Sequence, residues 1–127
     1  MIAADTSTWV AFFQGDTGSD VDLLDLALRD QQVVMPPVVL TELLSDPKIP
    51  LDVVNTLCEL PLLDMDEGYW RRAGELRAQV LASRRKARLG DTLIAQSCLD
   101  RGIPLITRDR DVKAFAAAAA LDIVATR

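Results

Sequence analysis

Met1-Ile2-Ala3-Ala4-Asp5-Thr6-Ser7-Thr8-Trp9-Val10-Ala11-Phe12-Phe13 opens the chain and sets its architecture. A short apolar run stops at a polar turn of helix-capping type, and Trp9 starts an apolar-rich helix that ends near Gly15. The same alternation continues downstream. A helix capped by Asp20 carries the stripe Leu23, Leu24, Leu26, Ala27 and Leu28. Val33-Val34-Met35 reads as a second strand, ended by Pro36-Pro37, with a helix over 38–45 behind it. A short helix over 52–60 leads to Leu62-Leu63, a third strand. The longest helix is expected over 66–85, with Trp70, Ala73, Leu76, Val80 and Leu81 on its apolar face. Gly90-Asp91 opens a helix that turns Leu93, Ile94, Ser97 and Cys98 inward and closes at Gly102. Pro104-Leu105-Ile106 is a fourth strand, an alanine-rich helix covers 111–120, and Ile123-Val124 is a fifth strand. Short apolar strands alternating with helices predict a parallel α/β sheet covered on both faces, in one domain over 1–127.

Composition narrows the chemistry. Half of the 127 residues are hydrophobic and the mean hydropathy is +0.16, enough for a packed interior. Charges break every apolar stretch well before the ~18 residues of a membrane span. No basic segment precedes an apolar one at the amino terminus, so no secretory signal is expected. Cys58 and Cys98 lie in apolar, helix-like surroundings and read as free thiols of a cytoplasmic protein. There is no histidine. That excludes an imidazole acid–base pair, a Ser-His-Asp triad and a His-ligated zinc, and two cysteines cannot build a Cys₄ site. What remains is carboxylates, hydroxyls, basic side chains or a metal held by oxygen.

A net charge of −5 speaks against a nucleic-acid partner, since such affinity comes largely from Lys and Arg. Two features offset it. Divalent cations would neutralise part of any carboxylate cluster. Arg84-Arg85-Lys86-Ala87-Arg88 also packs four cations into five positions, although such a run equally describes a solvated helix end.

Most of the nineteen acids have routine explanations: Asp20, Asp52 and Asp66 as helix caps, and Asp30, Glu59, Glu75 and Asp100 as solvated helix positions. Location distinguishes four others, because ligands of open parallel sheets bind beyond the carboxyl ends of the strands. Asp5 directly follows the first strand, and Asp109 follows the fourth. Glu42 projects from the early part of the helix leaving the second strand, and Asp91 begins the helix that runs back before the fourth. Taken singly, Asp5 and Asp91 also read as helix caps. Together the four repel unless protonated, hydrogen-bonded or metal-bound, and an all-oxygen cluster suits Mg²⁺ or Mn²⁺. Other carboxylate designs fit less well. Ser7 stands where a haloacid-dehalogenase-like phosphatase needs a second Asp, a receiver domain's acidic pair is missing, and no phosphate-binding P-loop is present.

Four segments carry a resemblance to a known family. Asp5-Thr6-Ser7, Leu40-Thr41-Glu42-Leu43-Leu44, Gly90-Asp91-Thr92-Leu93-Ile94-Ala95 and Leu105-Ile106-Thr107-Arg108-Asp109-Arg110-Asp111 resemble, in order and spacing, the four motifs of PIN domains, and in particular the VapC toxins of toxin–antitoxin pairs. The resemblance spans essentially the whole chain. It implies a five-stranded parallel sheet, a Mg²⁺/Mn²⁺-dependent endoribonuclease, a homodimer and a cognate antitoxin. Asp5, Glu42 and Asp91 match the first three acids, and Asp109 the fourth, with Asp111 as a second candidate there. Thr6, Ser7 and Thr107 match hydroxyls that orient an acid, a water or a phosphate, or act as turn caps. Arg84, Arg85, Lys86, Arg88, Arg108 and Arg110 become candidates to grip RNA. Metal-activated water would then leave a 5′-phosphate and a 3′-hydroxyl. Two further readings use the same residues: an RNA-binding or regulatory module of the same fold without useful turnover, and a structure-specific DNA nuclease. The complete acid set argues against the first and the chain's small size against the second.

Overall fold

Three short strands run parallel in the order β1 (Ala3–Ala4), β2 (Leu105–Ile106), β3 (Ile123–Val124), with Ala4 opposite Ile106 and Ile106 opposite Val124. The structure is a computed structural model and describes residues 1–124. Seven helices belong to these residues: α1 (Thr6–Phe13), α2 (Ser19–Arg29), α3 (Pro37–Leu44), α4 (Leu51–Glu59), α5 (Tyr69–Ala82), α6 (Leu89–Arg101) and α7 (Lys113–Ala119). A 3₁₀ turn (Arg110–Val112) precedes α7. Helices flank the sheet, with α1 against α2 and α3, and α5 against α6 and α7.

The expected five-stranded sheet is therefore a three-stranded one among the described residues. The two missing strands are present as extended segments held by isolated bridges. Ile2 pairs with Val33, and Met35 pairs with Leu62, both parallel. Proline explains the truncation. Pro36 follows Met35 and Pro61 precedes Leu62, so neither flanking residue can donate a ladder hydrogen bond. Met35 N–H still bonds Pro61 O at 2.7 Å, and Leu63 N–H bonds Met35 O at 3.0 Å. The parallel direction survives, and with it a common rim at the carboxyl ends.

The core is continuous from the sheet into both helical layers. Ala3, Ala4, Met35 and Ile106 are fully buried, and Trp9, Leu24, Val39, Ile94 and Phe115 close around them. The apolar face of α5 is rotated from the expected one. Tyr69, Ala73, Leu76 and Val80 are buried, whereas Trp70 is 63% exposed and Leu81 48% exposed. Tyr69 takes the inner place, where its hydroxyl donates to Leu93 O at 2.6 Å. The helix also ends at Ala82 rather than 85: Arg84 adopts φ +61°, and the basic run becomes a connection to α6.

The small residues at the end of β1 are what this packing requires. With Ala3 and Ala4 at 0% exposure, a branched side chain has no room behind Asp5. Ala4→Leu should lower stability by about 1–3 kcal/mol, read as a lower urea midpoint at unchanged slope. An unchanged midpoint would show that the site behind Asp5 is loosely packed.

Candidate functional site

The rim is assembled from four segments that the topology delivers to one place. Asp5 leaves β1 and caps α1. Its Oδ1 accepts from Ser7 Oγ at 2.6 Å and from Thr8 N–H at 3.1 Å, and its Oδ2 accepts from the Thr107 hydroxyl. Asp5 is only 3% exposed. Burial pushes its carboxyl above the ordinary range, the three donors oppose this, and the charge of Asp109 adds to the rise.

Thr107 sits at the end of β2 and is fully buried. Its hydroxyl donates to Asp5 and accepts from Asp109 N–H at 3.0 Å. Asp109 then caps the 3₁₀ turn, its Oδ1 accepting from Asp111 N–H at 2.9 Å. Asp111 thus contributes a backbone donor to Asp109, and Asp109 is the acid whose charge is felt at both Asp5 and Asp91.

Glu42 projects from α3, where Thr6 Oγ1 donates to Oε1 at 2.6 Å. A Cβ at Gly90 would stand 3.2 Å from Glu42 Oε2, so the missing side chain at 90 lets the carboxylate approach the first turn of α6. Asp91 lies in that turn, half-buried, and its side chain makes no hydrogen bond among the described residues. Burial, the charges of Asp109 and Asp5, and that of Glu42 push its carboxyl up to about 6, with Arg88 pulling the other way. No group of three or more His, Cys, Asp or Glu among the described residues is drawn together as a finished ligand shell. The four acids share a rim on which Asp91 feels the charges of Asp109, Asp5 and Glu42, and Asp5 feels that of Asp109. Two are held by hydroxyls, Asp109 by a backbone N–H, and Asp91 is left without a partner.

The basic candidates divide. Arg84, Arg85, Lys86 and Arg88 are exposed on the α5–α6 connection, and Arg110 is exposed on the 3₁₀ turn. Arg108 is committed elsewhere: its Nε bonds Asp20 Oδ2 at 2.7 Å, and its Nη2 bonds Asp20 Oδ1 at 3.0 Å and Thr17 O at 3.2 Å. Asp20, expected as a cap, instead lies inside α2 behind Gly18 and is fully buried. Burial alone would raise its pKa, but hydrogen bonds from Arg108 and Thr8 and the charge of Arg108 bring it below the ordinary range. Asp100, expected as a solvated position, similarly accepts from Arg72 at 2.7 Å and from Gln96 at 2.7 Å. An apolar cleft of about 280 Å³, lined by Val10, Phe13, Leu43 and Ile49, opens beside Glu42.

The unpartnered acid sets a pH dependence. The folded pKa of Asp91 lies above its ordinary 3.8, so the folded chain holds a proton that the unfolded chain releases. The stability contributed by this group is present below pH about 4 and lost as pH rises through about 6. Asp91→Asn should thus stabilise the protein in EDTA at pH 8, by roughly 1 kcal/mol after allowing for solvent screening, with the gain vanishing below pH about 4. Urea denaturation at both pH values checks this, and a lower midpoint for the variant at pH 8 would contradict it.

The model of the PIN domain family matches residues 2–119. Ribonuclease VapC5 of Mycobacterium tuberculosis is 30% identical over 74 residues, which is 58% of this chain and 55% of that protein, so the match spans little more than half of the relative. Among solved structures, VapBC-5 of M. tuberculosis, a member of the VapBC family of toxin–antitoxin systems, superposes with a TM-score of 0.69. It is 25% identical and covers 97% of this chain and 96% of that one. VapBC2 of Rickettsia felis, solved bound to a DNA fragment from their promoter, shares the fold with a TM-score of 0.76 at 21% identity. That match covers 100% of this chain and 99% of that one. A buried Asp after the first strand, a Thr-x-Asp element after β2 and a family match over nearly the whole chain lead to one assignment: this chain belongs to the PIN domain family.

Proposed function

We propose that this chain is a Mg²⁺- or Mn²⁺-dependent endoribonuclease, the toxin of a toxin–antitoxin pair, formed by a single domain that acts as a homodimer. The observation that carries the catalytic part is Asp91: a half-buried carboxylate facing three other acids, pushed up to about 6, with no hydrogen-bond donor to hold its charge among the described residues. An all-oxygen donor set of this kind fits a hard divalent cation. Asp5, Asp91 and Asp109 would hold it, and Glu42 would act directly or through water. When bound, such a cation lowers the pKa of water and offsets charge developing on the scissile phosphate.

The chain's own residues supply the rest. Thr107 and Ser7 fix the rotamer of Asp5, and Thr6 fixes Glu42 against α1. Asp109 is favoured over Asp111 as the fourth acid, because its charge is the one felt at Asp5 and Asp91. Arg84, Arg85, Lys86 and Arg88, exposed on the α5–α6 connection, and Arg110, exposed on the 3₁₀ turn, would hold the RNA backbone. Arg88, at the amino end of α6, is near enough to lower the pKa of Asp91. Attack by water, without the ribose 2′-hydroxyl as nucleophile, leaves a 5′-phosphate and a 3′-hydroxyl. The toxin role draws on the VapC relative and the VapBC structures. The apolar cleft beside Glu42 offers a seat from which an antitoxin could place a basic side chain among the acids.

Incubation with labelled RNA and Mn²⁺ should give fragments bearing 5′-phosphates. EDTA or Asp5→Asn should abolish cleavage, by at least about 10³-fold. Lys86→Ala should weaken RNA binding modestly and reduce the slope of log K against log salt by about one unit. Products ending in 2′,3′-cyclic phosphate would overturn the chemistry, and the absence of cleavage of any RNA would favour a binding module.

A further inference from the structure

Three segments meet at one buried ion pair beside the acid rim. Asp20 on α2 is fully buried, and its carboxylate receives two parallel hydrogen bonds from Arg108, at 2.7 Å to Oδ2 and 3.0 Å to Oδ1. Arg108 is the residue between Thr107 and Asp109. Asp20 Oδ2 also accepts from Thr8 Oγ1 at 3.1 Å, and the backbone N–H of Thr8 is the one that donates to Asp5 Oδ1. One carboxylate therefore grips both segments that carry acids at the carboxyl ends of β1 and β2. The pocket around it is shaped for this pair. Gly18 adopts φ +150°, and a Cβ there would lie 2.6 Å from Asp20 Oδ1 and 3.1 Å from Arg108 Nη2. Asp16 stands 3.8 Å from Arg108, on the exposed side.

We propose that Asp20 is a positioning residue for the metal centre, acting through Arg108 and Thr8, and that Arg108 serves this clamp instead of contacting RNA. The inference rests on the reading of the rim as a metal-dependent nuclease site. A bidentate guanidinium–carboxylate pair fixes direction as well as distance. Here it fixes the backbone of Arg108, and so the relative placement of the Thr107 hydroxyl and the Asp109 carboxylate on either side. Loosening it lets Asp109 drift from Asp5 and Asp91. A surface ion pair such as Arg29–Asp25 has no such reach, because both partners are exposed and belong to one helix.

The test uses four variants of the full chain. Arg108→Gln and Asp20→Asn each break the pair. The double variant removes both charges together, so that no buried charge is left unpaired and the fold is retained. Arg29→Gln is the surface control. In calorimetric titration with Mn²⁺ alone, the double variant should bind about tenfold more weakly than the parent, and the control should bind as the parent does. The Asp109 and Asp111 amides should exchange with solvent at least about tenfold faster, while the amides of α5 remain protected. In RNA cleavage, kcat should fall about tenfold or more, with KM and the salt slope within twofold of the parent. A folded double variant with parental Mn²⁺ affinity and parental amide exchange overturns the clamp. A raised KM with a flatter salt slope at unchanged kcat overturns it too, and returns Arg108 to the RNA. A parent that binds Mn²⁺ but cleaves no RNA sinks the nuclease reading, and the metal titration and amide exchange still decide the clamp.

Discussion

The pairing of Ala4 with Ile106 places Asp5 N–H on Ile106 O at 3.0 Å, and the rest of the site depends on that register. It sets the carboxylate that ends one strand beside the hydroxyl that ends its neighbour, so Thr107 can donate to Asp5 while accepting from Asp109 N–H. A slip of one residue would turn each of these side chains to the opposite face of the sheet. The two strands have only two residues each, too few to resist slippage by their own hydrogen bonds. The register is held by burial, with Ala3, Ala4, Leu105 and Ile106 all at or below 1% exposure. In this sense the hydrophobic core positions the acids.

Collecting four acids on one rim costs stability, and the structure shows how the cost is distributed. Asp5 is the most deeply buried of them and has three donors. Glu42 is exposed and needs only Thr6. Asp109 spends one oxygen on the turn that follows it. Asp91 has none of these aids, and its charge is the least comfortable of the set, with only Arg88 pulling its pKa down. Natural sequences tolerate such local conflict where function requires it and compensate elsewhere. Here the compensation includes the packed interior beneath the rim and the Asp20–Arg108 pair beside it.

Much of this was legible in the residues themselves. Asp5 and Asp109 stood out by following strands, Asp91 by starting a helix and Glu42 by projecting from the early part of one, positions that parallel topology brings to one edge. Other features were hidden, most of them because their causes are tertiary. The second and third strands read as full strands from their valines and leucines, yet the adjoining prolines reduce them to single bridges. Trp70 looked like the inner residue of α5, but Tyr69 carries a hydroxyl that a buried carbonyl can satisfy. Asp20 resembled an ordinary helix cap, and Arg108 one more cation near an acidic site. Their partnership spans 88 positions in sequence, and no local pattern announces it. Gly18 beside Asp20 was the only trace of it, and a glycine before a helix has many simpler explanations.

Asp91 is the rim acid with no side-chain hydrogen-bond donor among the described residues, and the proposed function makes it a ligand of a divalent cation. Proton release on Mn²⁺ binding measures this directly, by calorimetry in buffers of different ionisation enthalpy. Because ligands must give up their protons to bind metal, Mn²⁺ should release about half a proton at pH 6 from a group with a pKa of about 6. Release should fall towards zero at pH 8 and be lost at pH 6 in Asp91→Asn. Absence of Mn²⁺ binding, or a proton release that is the same with and without Asp91, would contradict it.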